Sequence, residues 1–132
     1  MAKEITASLV FEHLPARKPD SHKGSYGKLL CVCGCNQYRG AAALAVEGAL
    51  RAGAGVITLA SIEPVLQGVG ARCPEAVFLP CRTGEDGGID PAEGARILQA
   101  ARGSDALLFG PGLGNTPGTA SLLEQLGESA GC

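Results

Sequence analysis

Three short runs that are apolar on both faces constrain this chain more than any other feature. They are residues 28–33 (KLLCVC), 56–60 (VITLA) and 106–109 (ALLF). A strand with one wet face alternates apolar and polar side chains, whereas a strand covered on both faces does not. Each run ends in a glycine-rich or polar break, as a buried parallel strand does. A weaker fourth candidate is 76–79, closed by Pro80. Helical patterns fill the intervals: 5–14, the alanine-dense 40–52, 62–71, 91–101 and 116–126. Gly53 and Gly55 stop the second of these, Pro64 lies in the first turn of the third, Asp90 precedes Pro91 as a cap for the fourth, and Thr116 and Pro117 open the fifth. Strand and helix in alternation predict right-handed βαβ units, hence an α/β fold with helices on both faces of a parallel sheet. Residues 80–90 (PCRTGEDGGID) read as a polar surface loop.

Composition fits a core of thin aliphatic layers. Of 132 residues, 45% are apolar and 18% charged, with 20 glycines, no tryptophan and only five Phe plus Tyr. Such a length buries roughly two-thirds of its unfolded surface. The net charge of -2 gives no reason to expect nucleic acid. Residues 1–51 nevertheless hold seven Lys/Arg against four Asp/Glu, while 52–132 hold four against nine. No apolar run approaches the ~18 residues of a membrane helix, and the first fifteen residues lack the order of a signal peptide. A cytoplasmic protein is expected, with Cys31, Cys33, Cys35, Cys73, Cys81 and Cys132 as free thiols.

Four stretches bear on chemistry. Residues 34–40 (GCNQYRG) link a buried strand to a helix that opens Gly40-Ala41-Ala42. Ligands of parallel α/β sheets bind beyond the carboxyl ends of strands. A helix start there offers unpaired N–H groups, and small residues let a ligand approach the backbone. A tight helix–sheet junction is the simpler reading of this stretch alone. The second, Gly110-Pro111-Gly112-Leu113-Gly114, follows the third run directly. It has neither GxGxxG spacing nor the lysine of a phosphate-binding P-loop. Two glycine-rich loops at equivalent strand ends favour a binding cleft over two ordinary turns. The third, residues 18–27 (KPDSHKGSYG), carries His22 and Lys23, open to contact with an anion, although solvated surface is the simpler reading. The fourth is Cys31-Val-Cys-Gly-Cys35, whose spacing is not that of a structural zinc site; Cys31 and Cys33 suit core packing, while Cys35 is expected to reach the loop. No nucleophile–base pair, metal-ligand cluster or general-base Asp stands out; Asp86, Asp90 and Asp105 read as solvent-facing.

In order along the chain, Arg17-Lys-Pro-Asp-Ser-His-Lys-Gly-Ser-Tyr-Gly-Lys28, Gly40-Ala-Ala, Ala49-Leu-Arg-Ala-Gly-Ala-Gly55, Pro74-Glu75 and Gly110-Pro-Gly-Leu-Gly114 resemble the ADP/ATP-dependent NAD(P)H-hydrate dehydratases. The resemblance implies a ribokinase-like three-layer α/β/α domain with a mostly parallel sheet. It implies dehydration of NADHX or NADPHX, the hydrated forms of NADH and NADPH, coupled to hydrolysis of ADP or ATP with Mg2+. Phosphorylation of the ring hydroxyl would turn a poor leaving group into a good one. It also implies that Ala41 and Gly112, with Gly40, Ala42, Gly110, Pro111 and Gly114 around them, contact the hydrated dinucleotide. A homo-oligomer, tetrameric or larger, follows from the same resemblance.

The family's C-terminal features are a Thr-Pro-His segment, a Lys-rich nucleotide loop and a Gly-Thr-Gly-Asp turn with the expected catalytic Asp. None occurs in these 132 residues. The expectation is therefore a partial domain over 1–132, about the first half, without its catalytic residues and inactive alone. Two other classes remain open: a different ribokinase-like small-molecule kinase, and a non-catalytic dinucleotide-binding module.

Overall fold

The computed structural model describes residues 3–129, the side chain of Ser129 excepted. Cys132 lies outside the described residues. Four strands form one wholly parallel sheet: β1 (Lys28–Val32), β2 (Val56–Ile62), β3 (Val77–Cys81) and β4 (Ala106–Phe109), in spatial order β3-β2-β1-β4. Five α-helices accompany them: α1 (Ala7–His13), α2 (Arg39–Ala52), α3 (Glu63–Gly70), α4 (Gly94–Arg102) and α5 (Pro117–Ser129). Helices α2 and α3 contact one another, as do α4 and α5. The architecture is the expected three-layer α/β/α.

The order of strands fixes where a ligand can sit. The chain steps from β1 to β2 to β3 in one direction, then crosses back over both to place β4 on the far side of β1. Right-handed crossovers running in opposite directions put their helices on opposite faces. The loops leaving β1 and β4 therefore diverge, and a crevice opens between the carboxyl ends of those two strands.

The core lies on both sides of β1 and β2. Leu30, Cys31, Val32, Leu59, Ala60 and Ile62 are fully buried. Val46 of α2, Val65 and Val69 of α3, Ile97 of α4 and Leu122 and Leu126 of α5 close over them. Burying one such side chain is worth about 1.5–3 kcal/mol. Helix α1 contributes nothing here: none of its residues is buried, and Val10 and Phe11 face outward.

Several boundaries differ from the sequence expectation. Strand β3 runs through Pro80, which pairs in register with Ser61, instead of stopping before it. Proline cannot donate to a ladder but is tolerated on an edge strand, and the guanidinium of Arg96 donates to the Pro80 carbonyl at 2.6 Å. Residues 82–90 are a tied structure more than a loose loop. Thr83 bridges Ile89, Gly84 and Gly88 exchange a backbone hydrogen bond of 2.9 Å, and Ile89 is buried. The fourth helix begins as a 3-10 turn, Pro91–Glu93, capped by the Asp90 carboxylate accepting from Ala92 N–H, and turns α-helical only at Gly94. Strand β4, on the other edge, has no proline and keeps Leu107, Leu108 and Phe109 half-buried.

Candidate functional site

The crevice is built by three loops that hydrogen-bond to one another. Just past β1, the fully buried Ser61 hydroxyl donates to the Cys33 carbonyl at 2.6 Å and fixes the strand's exit. Gly34 then turns with φ +82, where a Cβ would come within 2.9 Å of Val65. Its N–H donates to the Pro111 carbonyl at 2.8 Å, joining the β1 loop to the β4 loop. Asn36 N–H donates to the Gly87 carbonyl at 2.9 Å, which brings in the 82–90 segment from the side.

The β4 loop needs its glycines. Gly110, Gly112 and Gly114 adopt φ of +131, +70 and +81. At Gly112 a Cβ would stand 2.6 Å from the Tyr38 carbonyl oxygen and 2.7 Å from the Ala41 Cβ. Residues 110–114 thus lie directly on the N-terminal turn of α2. Buried Leu113 anchors the loop, and Thr119 donates its hydroxyl to the Leu113 carbonyl at 3.1 Å. Thr116 caps α5 by accepting from Thr119 N–H. The same Thr116 hydroxyl, with Gly88 N–H, holds the Asp86 carboxyl below the ordinary aspartate value.

The two predicted glycine-rich segments are therefore one surface. Gly40 is exposed with open space around it, and Ala41 is half-buried. No side chain caps the start of α2, so its first N–H groups face the crevice without a side-chain partner. Ala42 is fully buried beneath the helix, near the Cβ position of Gly34, and supports the turn from below. Sequence reasoning overlooked Tyr38 and Arg39. Tyr38 is 55% exposed beside Gly112, and Arg39 donates Nε–H to the Asn36 carbonyl at 3.1 Å, placing a cation at the helix mouth.

His22 and Lys23 lie elsewhere. They belong to the 3-10 turn Lys23–Tyr26 and its cap, which seats on Gly55 at the start of β2, the amino end of the sheet. Cys31 and Cys33 are buried and free. The neighbouring Cys31 thiol and burial push the Cys33 thiol above its usual range. Cys35 is buried as well, with its sulfur 3.9 Å from where a Gly114 Cβ would lie. Among the described residues no three His, Cys, Asp or Glu side chains converge to hold a metal ion.

Comparison with known proteins gives a consistent picture. Residues 29–130 match the NAD(P)H-hydrate dehydratase family. A bifunctional NAD(P)H-hydrate repair enzyme of Thermofilum pendens is 39% identical over 116 residues, 88% of this chain and 22% of that protein. An ADP-dependent (S)-NAD(P)H-hydrate dehydratase of Xanthomonas campestris is 39% identical over 127 residues, 96% of this chain and 43% of that protein. Among solved structures, an ADP/ATP-dependent NAD(P)H-hydrate dehydratase of Bacillus subtilis, co-crystallised with ATP and Mg2+, superposes with a TM-score of 0.70 at 29% identity. That match covers 92% of this chain and 40% of that one. A ribokinase-like protein of Enterococcus faecalis gives a TM-score of 0.77 at 25% identity, covering 92% of this chain and 39% of that one. The chain spans less than half the length of each of these relatives.

Proposed function

The chain belongs to the NAD(P)H-hydrate dehydratase family, and from that premise we propose that it is the substrate-seating first half of a nicotinamide-nucleotide repair enzyme. The reaction is dehydration of (S)-NADHX or NADPHX, coupled to hydrolysis of ADP or ATP. The observation that carries the reading is the contact of Gly112 with Tyr38 and Ala41. It joins two side-chain-poor segments into one backbone surface at the switch point between β1 and β4.

This surface binds and orients. The uncapped N–H groups of Arg39, Gly40 and Ala41 and the positive end of α2 suit a pyrophosphate or a carboxamide oxygen. Gly110, Gly112 and Gly114 let the ring approach the main chain, Pro111 stiffens the loop, and Arg39 adds a cation at the mouth. The chemistry that makes phosphate the leaving group relies on positioning and charge stabilisation of the moving phosphoryl. Mg2+ would supply part of that stabilisation in such reactions. In this proposal the catalytic residues and the nucleotide loops lie in the part of the family domain beyond the 43% and 40% of the Xanthomonas campestris and Bacillus subtilis relatives that the chain covers.

The half-domain reading has support in the two margins of the sheet. β3 carries Pro80 and Arg96 along its edge, whereas β4 offers four residues with no such cover. A parallel sheet continued from β4 would bury Leu107, Leu108 and Phe109 fully. We place the assembled enzyme in the cytoplasm as a homo-oligomer.

The experiment is reconstitution. The 132-residue chain is mixed with the complementary half of the Xanthomonas campestris or Bacillus subtilis relative, NADPH hydrate, ADP and Mg2+. Recovery of NADPH absorbance, absent with either half alone, is expected. Soluble halves that associate yet release no NADPH would refute the proposal.

A further inference from the structure

At the opposite end of the sheet, the 3-10 turn Lys23–Tyr26 and the C-terminal end of α2 border an open hollow of about 510 Å3. Arg17, Lys18, His22, Lys23 and Tyr26 line it together with Gly53. We propose that this cleft binds the phosphoryl group of a small organic phosphate, at a site separate from the dinucleotide crevice.

Charge is the first reason. Among the described residues, the cations that form ion pairs are Arg51, Arg72, Arg82 and Arg96. Arg17, Lys18 and Lys23 form none. Asp20 lines the adjoining hollow with Lys18 and His22, so one carboxylate faces three full positive charges. The end of α2 adds about half a negative charge. Two of its C-terminal carbonyls are already engaged, however: Gly53 N–H donates to Ala49 and Leu50, and Ala54 N–H to Ala49. The local balance stays positive.

Geometry is the second. Lys23 is held on the sheet because Gly55 admits its carbonyl so closely that a Cβ would lie 1.6 Å from it. Gly55 N–H also bridges the Tyr26 and Gly27 carbonyls at 3.2 and 3.1 Å. His22 accepts the Gly24 N–H on Nδ1 at 3.1 Å. The neutral ring therefore carries its proton on Nε2 and remains a donor. The Arg17 guanidinium lies 4.5 Å above the Tyr26 ring, which uses its face and leaves its N–H edge for a planar fork onto phosphate. The Tyr26 and Ser21 hydroxyls hydrogen-bond to each other and keep the ring in place. The Tyr26 ring, the His22 imidazole and the Arg17 guanidinium thus have partners before any ligand arrives. The volume falls within the ~300–1,000 Å3 of small-molecule sites, more room than a lone phosphate fills, and Leu50 and Ala54 give it an apolar wall.

The test uses the 15N-labelled 132-residue chain titrated with ribose 5-phosphate, inorganic phosphate and sulfate. With ribose 5-phosphate, the amides of Gly24, Tyr26, Gly53 and Gly55 should shift saturably while those of Gly40, Gly110 and Gly112 stay still. Lys18→Gln with Lys23→Gln, both at exposed positions, should weaken binding about tenfold or more, as loss of charge-assisted contacts does. Arg102→Gln on α4 should leave it unchanged. Equal affinity for sulfate and ribose 5-phosphate would overturn the proposal in favour of a counter-ion patch. Shifts centred on 34–42 and 110–114 would overturn it in favour of the crevice alone. Neither result touches the reconstitution assay, so the two readings fail independently.

Discussion

Adding a single methyl group at three glycines separates the structural from the binding role of the crevice. Gly112→Ala forces a residue with φ +70 to carry a Cβ, and that Cβ meets the Tyr38 oxygen at 2.6 Å and the Ala41 Cβ at 2.7 Å. The left-handed backbone costs about 1–2 kcal/mol, and overpacking against main chain adds roughly 1–3 kcal/mol. The expected destabilisation is therefore about 2–5 kcal/mol, a large share of a small domain's stability. Gly110→Ala meets nothing within 4 Å, so only its φ of +131 counts, for roughly 1–3 kcal/mol. Gly40→Ala also points into open space, but within α2. It should leave stability unchanged or raise it by up to about 1 kcal/mol. Urea unfolding followed by circular dichroism ranks the three. Calorimetric titration with NADPH then asks the second question. If the dinucleotide lies on the backbone, Gly40→Ala weakens binding about tenfold, or 1.4 kcal/mol, in a protein no less stable. NADPH affinity unaltered in Gly40→Ala would refute the backbone-contact argument, and a Gly112→Ala protein as stable as the parent would refute the geometry beneath it.

Other outcomes are expected. Ser61→Ala removes the buried donor to the Cys33 carbonyl and should cost about 1–3 kcal/mol, read by the same unfolding curves. Ile97→Ala opens the face beneath α4, where the side chain is fully buried, and should cost about 2–5 kcal/mol. Burial pushes the Glu93 carboxyl up, but its hydrogen bonds from Arg82 and Arg96 outweigh this and hold it below the ordinary glutamate value. Its contribution is thus present above about pH 4.3 and is lost as pH falls through the lower folded value. Glu93→Gln should lower the neutral-pH melting midpoint and flatten its fall in acid, seen in melts at stepped pH. In a Cys132→Ser background the five buried thiols should resist an aromatic disulfide reagent until the chain unfolds. Burial, chiefly, pushes Cys81 up to about 11, with the Glu93 charge adding to the effect and Arg96 opposing it. Fast labelling of the native chain would contradict that packing.

The sheet was readable because strands covered on both faces cannot alternate: the runs at 28–33, 56–60 and 106–109 have no other comfortable state. Pro80 was misread because the proline rule is local, while an edge position is a tertiary fact. Residues 82–90 look like solvent by composition, yet their own Ile89 is buried and their ties to Asn36 and Thr116 come from segments far along the chain. The glycine-rich pair was visible as composition, but its contact through Gly112 depends on β4 sitting beside β1 and not beside β3. The third position of the α2 start, Ala42, turns its side chain to the core, a direction that the run of small residues does not reveal. The position of His22 and Lys23 has a local reason. Residues that precede a parallel strand lie at its amino end, and His22 and Lys23 precede β1. Arg39 and Tyr38 carried no signal beyond their place in a loop.

The spatial order of the strands also sets a clock. β1 is synthesised first of the four but needs two neighbours, with Lys28 pairing Val56 and Leu29 pairing Ala106. At roughly 5–20 residues per second, the second neighbour emerges roughly 4–15 s after the strand that awaits it. For that interval one flank of KLLCV, apolar and bearing a thiol, has nothing to cover it. A nascent chain built this way depends on what shields β1 in the meantime, and its yield should respond to translation speed and holding chaperones before it responds to any change in final stability.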